Sequence, residues 1–196
     1  MRTLSLYGLL FILLAALCAC SVDVNKGDHG GDKKVDIETP MGGLHVSEGA
    51  DVRDVGLSVY PGARPKPKDN SGDEKSANVN ISTGSFGLKV VALEYLSDDS
   101  PEKVLAYYTN ELKKYGKVLV CPGGGADASI HFGDSNDDSN ELTCSDSKSG
   151  SGKSEPGRTE LKAGSKANQH IVSVKPNGKG SDFALVYVRT RGKDTI

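Results

Sequence analysis

Residues 88–121 read LKVVALEYLSDDSPEKVLAYYTNELKKYGKVLVC, and the change of hydrophobic period inside this stretch decides the fold. From 88 to 96 apolar residues occupy both parities, which suits a strand buried on one side and partly covered on the other. The next residues carry helix-start signals. Ser100 is placed to accept a backbone hydrogen bond as N-cap, Pro101 fits the first helical position, and Glu102 favours the positive end of the dipole. Val104, Leu105, Tyr108, Leu112 and Tyr115 then recur at helical spacing and predict one apolar stripe. Lys113 and Lys114 suit the last turn and Gly116 the stop. Residues 117–121 return to strand, ended by Pro122-Gly123-Gly124-Gly125.

Working outward, strands are expected at 170–174 and 183–189, joined through Pro176-Asn177-Gly178-Lys179-Gly180, where Asn-Gly is the strongest short turn signal in the chain. A short strand is expected at 141–144, after which residues 145–158 read as a Ser-, Gly- and Lys-rich loop. On the other side, Val79 and Ile81 begin a strand. Residues 64–76 are Pro- and Lys-rich and predict an exposed loop. Tyr60-Pro61-Gly62 is a natural turn, with proline setting φ and glycine allowing a positive φ. Val35 and Ile37, then Leu44 and Val46 beyond a Gly-containing turn, alternate as a hairpin. Strands, one helix, then strands give an α+β domain over 35–196: one main amphipathic helix packed on a mostly antiparallel sheet, with long flexible loops.

The amino-terminal end has a different character. Arg2 precedes an apolar run over 4–17, shorter than the roughly 20 residues of a spanning helix, and small residues lead to Ala19-Cys20. This pattern predicts a signal peptide over 1–19. Leu17-Cys18-Ala19-Cys20 resembles the bacterial lipobox, which implies that Cys20 becomes the lipidated first residue of a lipoprotein held in the cell envelope. Ser21 stands where an Asp would direct retention at the inner membrane, so the resemblance favours the outer membrane in an organism with two. Ordinary cleavage near Ala19 is the rival and would leave Cys20 a thiol. Residues 20–34 are polar, Gly-rich and aperiodic, and read as a flexible tether.

Charge narrows the partners. The chain carries −2 at pH 7, and losing Arg2 takes it one unit lower. Such a balance argues against nucleic acid and against a polybasic lipid-binding patch. Cys121 and Cys144 are the cysteines left outside the leader region, and in an oxidising compartment they make a candidate disulfide. It would close a loop of about 24 residues, worth roughly 3 kcal/mol by chain entropy.

Motifs with chemical content do not cohere into a catalytic set. Gly152-Lys153-Ser154 ends like a P-loop, but Ser147 stands at the first glycine position and Pro156-Gly157 oppose the required helix, so no nucleotide is expected. Asp134, Asn136 and Asp138 have calcium-ligand spacing, yet Ser139 and Ser145 occupy the positions of the glycine and the bidentate Glu. His29, His45, His131 and His170 lack paired metal-ligand spacing. Tyr108 and Tyr115 belong to the helix stripe, which explains them as core before any stacking platform, whereas Tyr107 lies to one side.

Tyr60-Pro61-Gly62-Ala63, the strand at 88–96 and Asp99-Ser100-Pro101-Glu102-Lys103-Val104 through Tyr108 together resemble an arrangement found in uncharacterised bacterial exported proteins. The resemblance covers residues 57–121 and implies no activity and no functional residue. The reading is a membrane-anchored envelope lipoprotein without cofactor, a non-catalytic binding or structural module with a protein or glycan partner. An envelope hydrolase whose site forms only in three dimensions and a calcium-dependent adhesive module are the alternatives.

Overall fold

The computed structural model describes residues 21–25, 34–47, 49–67, 76–123, 140–144 and 157–192. Cys20, His29, His131, the residues of the P-loop-like segment and most of the calcium-like segment lie outside them. The described strands are β1 (Ser21–Asn25), β2 (Lys34–Thr39), β3 (Gly42–Ser47), β4 (Arg64–Pro65), β5 (Ser76–Thr83), β6 (Gly87–Ser97), β7 (Leu119–Pro122), β8 (Thr159–Ser165), β9 (Asn168–Asn177) and β10 (Gly180–Arg191). They form one ten-stranded sheet in the order β1-β2-β3-β5-β6-β10-β9-β8-β7, with β4 beside β6 beyond the end of β5. Every described pairing is antiparallel. Among the described residues two helices accompany the sheet, α1 (Val52–Val55) and α2 (Pro101–Leu112), the latter continued by a 3-10 turn over Lys113–Tyr115. The expected mostly antiparallel sheet with a single substantial helix is therefore present.

Directly paired residues share a face of a sheet, so the register sorts the side chains into rows. One face carries the row Val22, Ile37, Leu44, Ile81 and Leu88, and beside it Val24, Val35, Val46, Val79, Val90 and Val188. Leu88, Ile171, Val186 and Val188 are the buried centre of this face. On the opposite face the apolar residues begin only at β6. There Val91, Leu93, Tyr95, Phe183, Leu185, Val172, Val174 and Leu161 form the main core with α2. The apolar surface thus changes face between the β1–β5 half and the β6–β8 half. Only β6, β9 and β10 have apolar residues buried on both sides, which is why 88–96 shows no clean alternation.

Helix α2 lays Val104, Tyr108 and Leu112 into the core with no exposed surface. Each contributes roughly 1.5–3 kcal/mol of apolar burial. Tyr108 also carries polar work. Its hydroxyl accepts from the Tyr60 backbone N–H at 3.0 Å and donates to the Ser58 carbonyl at 3.1 Å, tying the helix to the segment before the Tyr60 turn. Burial pushes this phenol far above its ordinary range, so it remains a neutral donor. The turn forms as expected: Ala63 N–H donates to the Tyr60 carbonyl at 3.0 Å, with Gly62 at φ 77°.

Several expectations are corrected. The Ser100 hydroxyl makes no cap bond to the helix backbone and instead bonds the Glu102 carboxylate, holding it below its usual range. Ser21–Asn25, expected within a tether, pair with β2 because Val22 and Val24 match the period of Ile37 and Val35. Residues 64–65, expected in a loop, form β4, fastened by Arg64 forked onto Asp98 at 2.8 and 3.1 Å. Just beyond, Lys66 Nζ bridges Glu94 at 2.8 Å and Asp182 at 2.7 Å. Residues 141–144 form no strand. β8 carries no strand signal in the sequence. Its Glu160 and Lys162 look like a solvent face, yet both are almost fully buried and face each other at 3.6 Å.

Lys162 continues an apolar row, pairing with Ile171, itself opposite Val186. Removing one member of such a pair takes an opposite charge away from the other in a poorly solvated place. Lys162→Met should therefore cost about 3–5 kcal/mol, read as a lower urea midpoint at unchanged slope. Adding Glu160→Gln to that variant should recover most of the loss. A single variant as stable as the parent would contradict the paired burial.

Candidate functional site

The start of β9 (Asn168-Gln169-His170) and the end of β10 (Tyr187-Val188-Arg189) run side by side, with Tyr187 opposite His170 and Arg189 opposite Asn168. On the other side of β10, Lys89 of β6 stands opposite Arg189. Alternation places Lys89, Tyr187, Arg189 and Arg191 on the face that carries α2, beyond the helix's reach.

Helix α1 and the 3-10 turn close one side of this region. Asp51 is the N-cap of α1, accepting from the Arg53 backbone N–H at 2.8 Å. The Arg53 guanidinium forks onto the same carboxylate and holds it down at about 2. Gly56 ends the helix at φ 73°, and a Cβ there would stand 2.5 Å from the Tyr115 hydroxyl, so only glycine fits. That hydroxyl donates to the Gly56 carbonyl.

His170 sits at the back, 5 % exposed. Its Nδ1 lies 2.9 Å from the Val55 carbonyl, which requires the proton on Nδ1 and leaves Nε2 as the acceptor of a neutral ring. Tyr115 stacks on the imidazole at 3.5 Å between centroids and 11° between planes, and Tyr187 leans on it at 4.9 Å. Burial, opposed by the Val55 hydrogen bond and helped by the nearby Lys114 ammonium, lowers the His170 pKa from its ordinary value.

Two adjoining grooves open here. One, of about 440 Å³, runs past His170, Tyr115, Tyr187 and Asn168. The other, of about 310 Å³, lies over Asn80, Ser82, Gly87 and Arg191. Lys89 and Arg189 line both. Lys89 Nζ reaches Asp54 at 2.9 Å. The walls offer guanidinium, ammonium and amide donors and the Asp54 carboxylate beside aromatic rings, which is the chemistry of a surface that holds a polar ligand.

The structure places the residues singled out from sequence as follows. Cys121 and Cys144 come together at disulfide distance, with Cα atoms 5.3 Å apart. Cys20 lies outside the described residues. His45 pairs with Asp36 on the exposed surface of β3, far along the sheet from His170. Tyr108 is core as expected, and Tyr107 packs edge-on against Tyr60 at 5.2 Å. Among the described residues no group of three His, Cys, Asp or Glu is placed to hold a metal ion. Sequence reasoning missed Lys89, Arg189 and Arg191. Their signal was present in β10, where the parity that buries Phe183 and Leu185 continues through Tyr187 into two arginines.

A base whose folded pKa is lowered takes up its proton more readily when unfolded. Its contribution is complete above the unfolded value near 6.5 and falls as pH drops through it, by up to about 1.4 kcal/mol per pH unit. His170→Phe keeps the ring stack but strips the Val55 carbonyl of its donor. Stability at pH 8 should fall by about 1–3 kcal/mol, while the decline between pH 6.5 and 5 should become shallower than in the parent. Parallel profiles over that window would refute the buried neutral ring. Comparison with protein-family models, with curated proteins and with solved structures finds no match to this chain.

Proposed function

We propose that this chain is a cell-envelope lipoprotein, anchored through lipid on Cys20, and that it works as a non-catalytic binding module. The observation that carries the reading is the junction between Leu17-Cys18-Ala19-Cys20 and the first strand. β1 begins at Ser21, the residue after the lipobox cysteine, and among the described strands it is the outermost, paired with β2. Consecutive Cα atoms are about 3.8 Å apart, so acyl chains on Cys20 bring this sheet edge to the bilayer surface. Val22 and Val24 are 64 % and 57 % exposed there, on the apolar face of the sheet. Exposed valines on the outermost described strand are better accommodated beside lipid than in water.

A further observation supports the reading. The approach of Cys121 to Cys144 suits an oxidising compartment outside the cytoplasm. No helix among the described residues is long and apolar enough to cross a membrane. Each buried methylene contributes about 0.8 kcal/mol, and the several acyl chains of a bacterial lipoprotein suffice for a stable anchor. The groove beside His170, with donors and rings rather than a nucleophile held by a base, is the surface presented to a ligand.

Metabolic labelling with an alkyne fatty acid should mark the protein in cells and fail to mark Cys20→Ala. Label persisting in that variant removes the anchor. The same preparation should show no reactive thiol from Cys121 and Cys144 before reduction and two after it. Two thiols in the untreated protein would contradict the exported location.

A further inference from the structure

We propose that Lys89, Arg189 and Arg191 form a phosphate-binding site in the groove on the helix-bearing face of the sheet. Three features of the fold converge on it. Lys89 and Arg189 are directly opposed across β6 and β10, and Asp54 compensates the lysine alone, so the Arg189 charge stays open beside another cation. Arg191 follows two residues later on the same face and lies over Gly87: its Nε is 3.6 Å from where a Cβ of that residue would stand. Asn80 and Ser82 of β5 stand opposite Lys89 and Gly87 and add neutral polar groups to the same wall.

The charge balance is local and one-sided. Asp54 holds Lys89, and Asp51 holds Arg53. Neither carboxylate extends to the two arginines, and no described carboxylate is within ion-pair distance of Arg189 or Arg191. The chain as a whole is acidic, at −2, so this excess of cations is not a general property of its surface. Two guanidinium forks and an ammonium around one groove match the several oxygens of a phosphate group better than the two of a carboxylate. A phosphate seated there would neutralise the two arginines and accept from Lys89 beside them, and the adjoining groove along Tyr187 and His170 leaves room for the rest of the molecule that carries it.

This deepens the binding half of the proposed function and is independent of the lipid anchor. A protein labelled on Cys20 that ignores phosphate would overturn this inference alone, and an unlabelled one that binds phosphate would overturn only the anchor.

The thermal midpoint of the purified full chain should rise saturably with inorganic phosphate when chloride keeps ionic strength constant. Arg189→Gln combined with Arg191→Gln should weaken the apparent phosphate affinity at least tenfold. Both residues are exposed, so the variant should fold, and in chloride its midpoint should equal or exceed the parent's as the opposed charges are relieved. Lys179→Gln, on the β9–β10 turn, should leave the affinity unchanged. Short-chain dihexanoyl phosphatidylglycerol, tested below its micelle concentration, distinguishes the sources. A larger shift than phosphate at equal concentration identifies a lipid headgroup, and a smaller one identifies a free or terminal phosphate. No saturable shift with either probe, or shifts that the double variant retains in full, would overturn the site.

Discussion

The eleven-residue ladder between β6 and β10 sets the position of nearly everything else in the molecule. A slip of one residue in either strand would exchange the two faces. Leu93, Tyr95, Phe183 and Leu185 would leave α2, and Leu88, Val90, Val186 and Val188 would leave the second core. Because both faces of this pair are apolar, burial alone discriminates weakly between the two registers. The discrimination comes from the polar residues that interrupt each face: Glu94 and Asp182 on one side, held by Lys66, and Lys89, Arg189 and Arg191 on the other. A shifted ladder would drive these into the hydrophobic layers.

Helix α2 then follows from the sheet. It covers the half of one face where β6, β10, β9 and β8 are apolar, and Tyr108 fixes its height through two backbone hydrogen bonds near Tyr60. Tyr60 in turn donates from its hydroxyl to Asp99 at 2.9 Å, just ahead of the helix. The turn, the strand end and the helix start therefore form one closed set of contacts. This accounts for why their sequences, Tyr60-Pro61-Gly62 and Ser100-Pro101-Glu102, are so clearly marked: each must end an element at a defined point.

What could be read from the sequence was whatever expressed a period or a stop. The hairpin of β2 and β3, the strands β6, β9 and β10, and α2 all did so. β8 did not, because Glu160 and Lys162 neutralise each other inside the sheet and thereby imitate an exposed face. α1 is a single turn with one fully buried side chain, Val55, too little for a helical stripe. β1 contributes two valines among polar residues, and pairing with β2 is what makes them a strand. The groove was illegible for a related reason. Its cations come from residues 89, 189 and 191, a hundred positions apart, and only the β6–β10 register brings them together. His170 could be seen, but its stack with Tyr115 and its bond to Val55 depend on a helix that the sequence does not announce.

The groove also explains an otherwise unfavourable choice. Replacing Lys89 or Arg189 by Thr or Val would extend the apolar rows and relieve repulsion between opposed cations, both of which favour the sheet. The chain instead keeps both, and places α1 where Asp54 can reach Lys89 but not its neighbours. Local conflict between charge and fold marks positions where something other than stability decides the residue. The buried Glu160–Lys162 pair, in contrast, sets opposite charges of one strand face to face at 3.6 Å. The Lys66 ammonium between Glu94 and Asp182 is likewise balanced by carboxylates. Among the described residues, the groove around Arg189 and Arg191 is where positive charge is left for a partner from solution to complete.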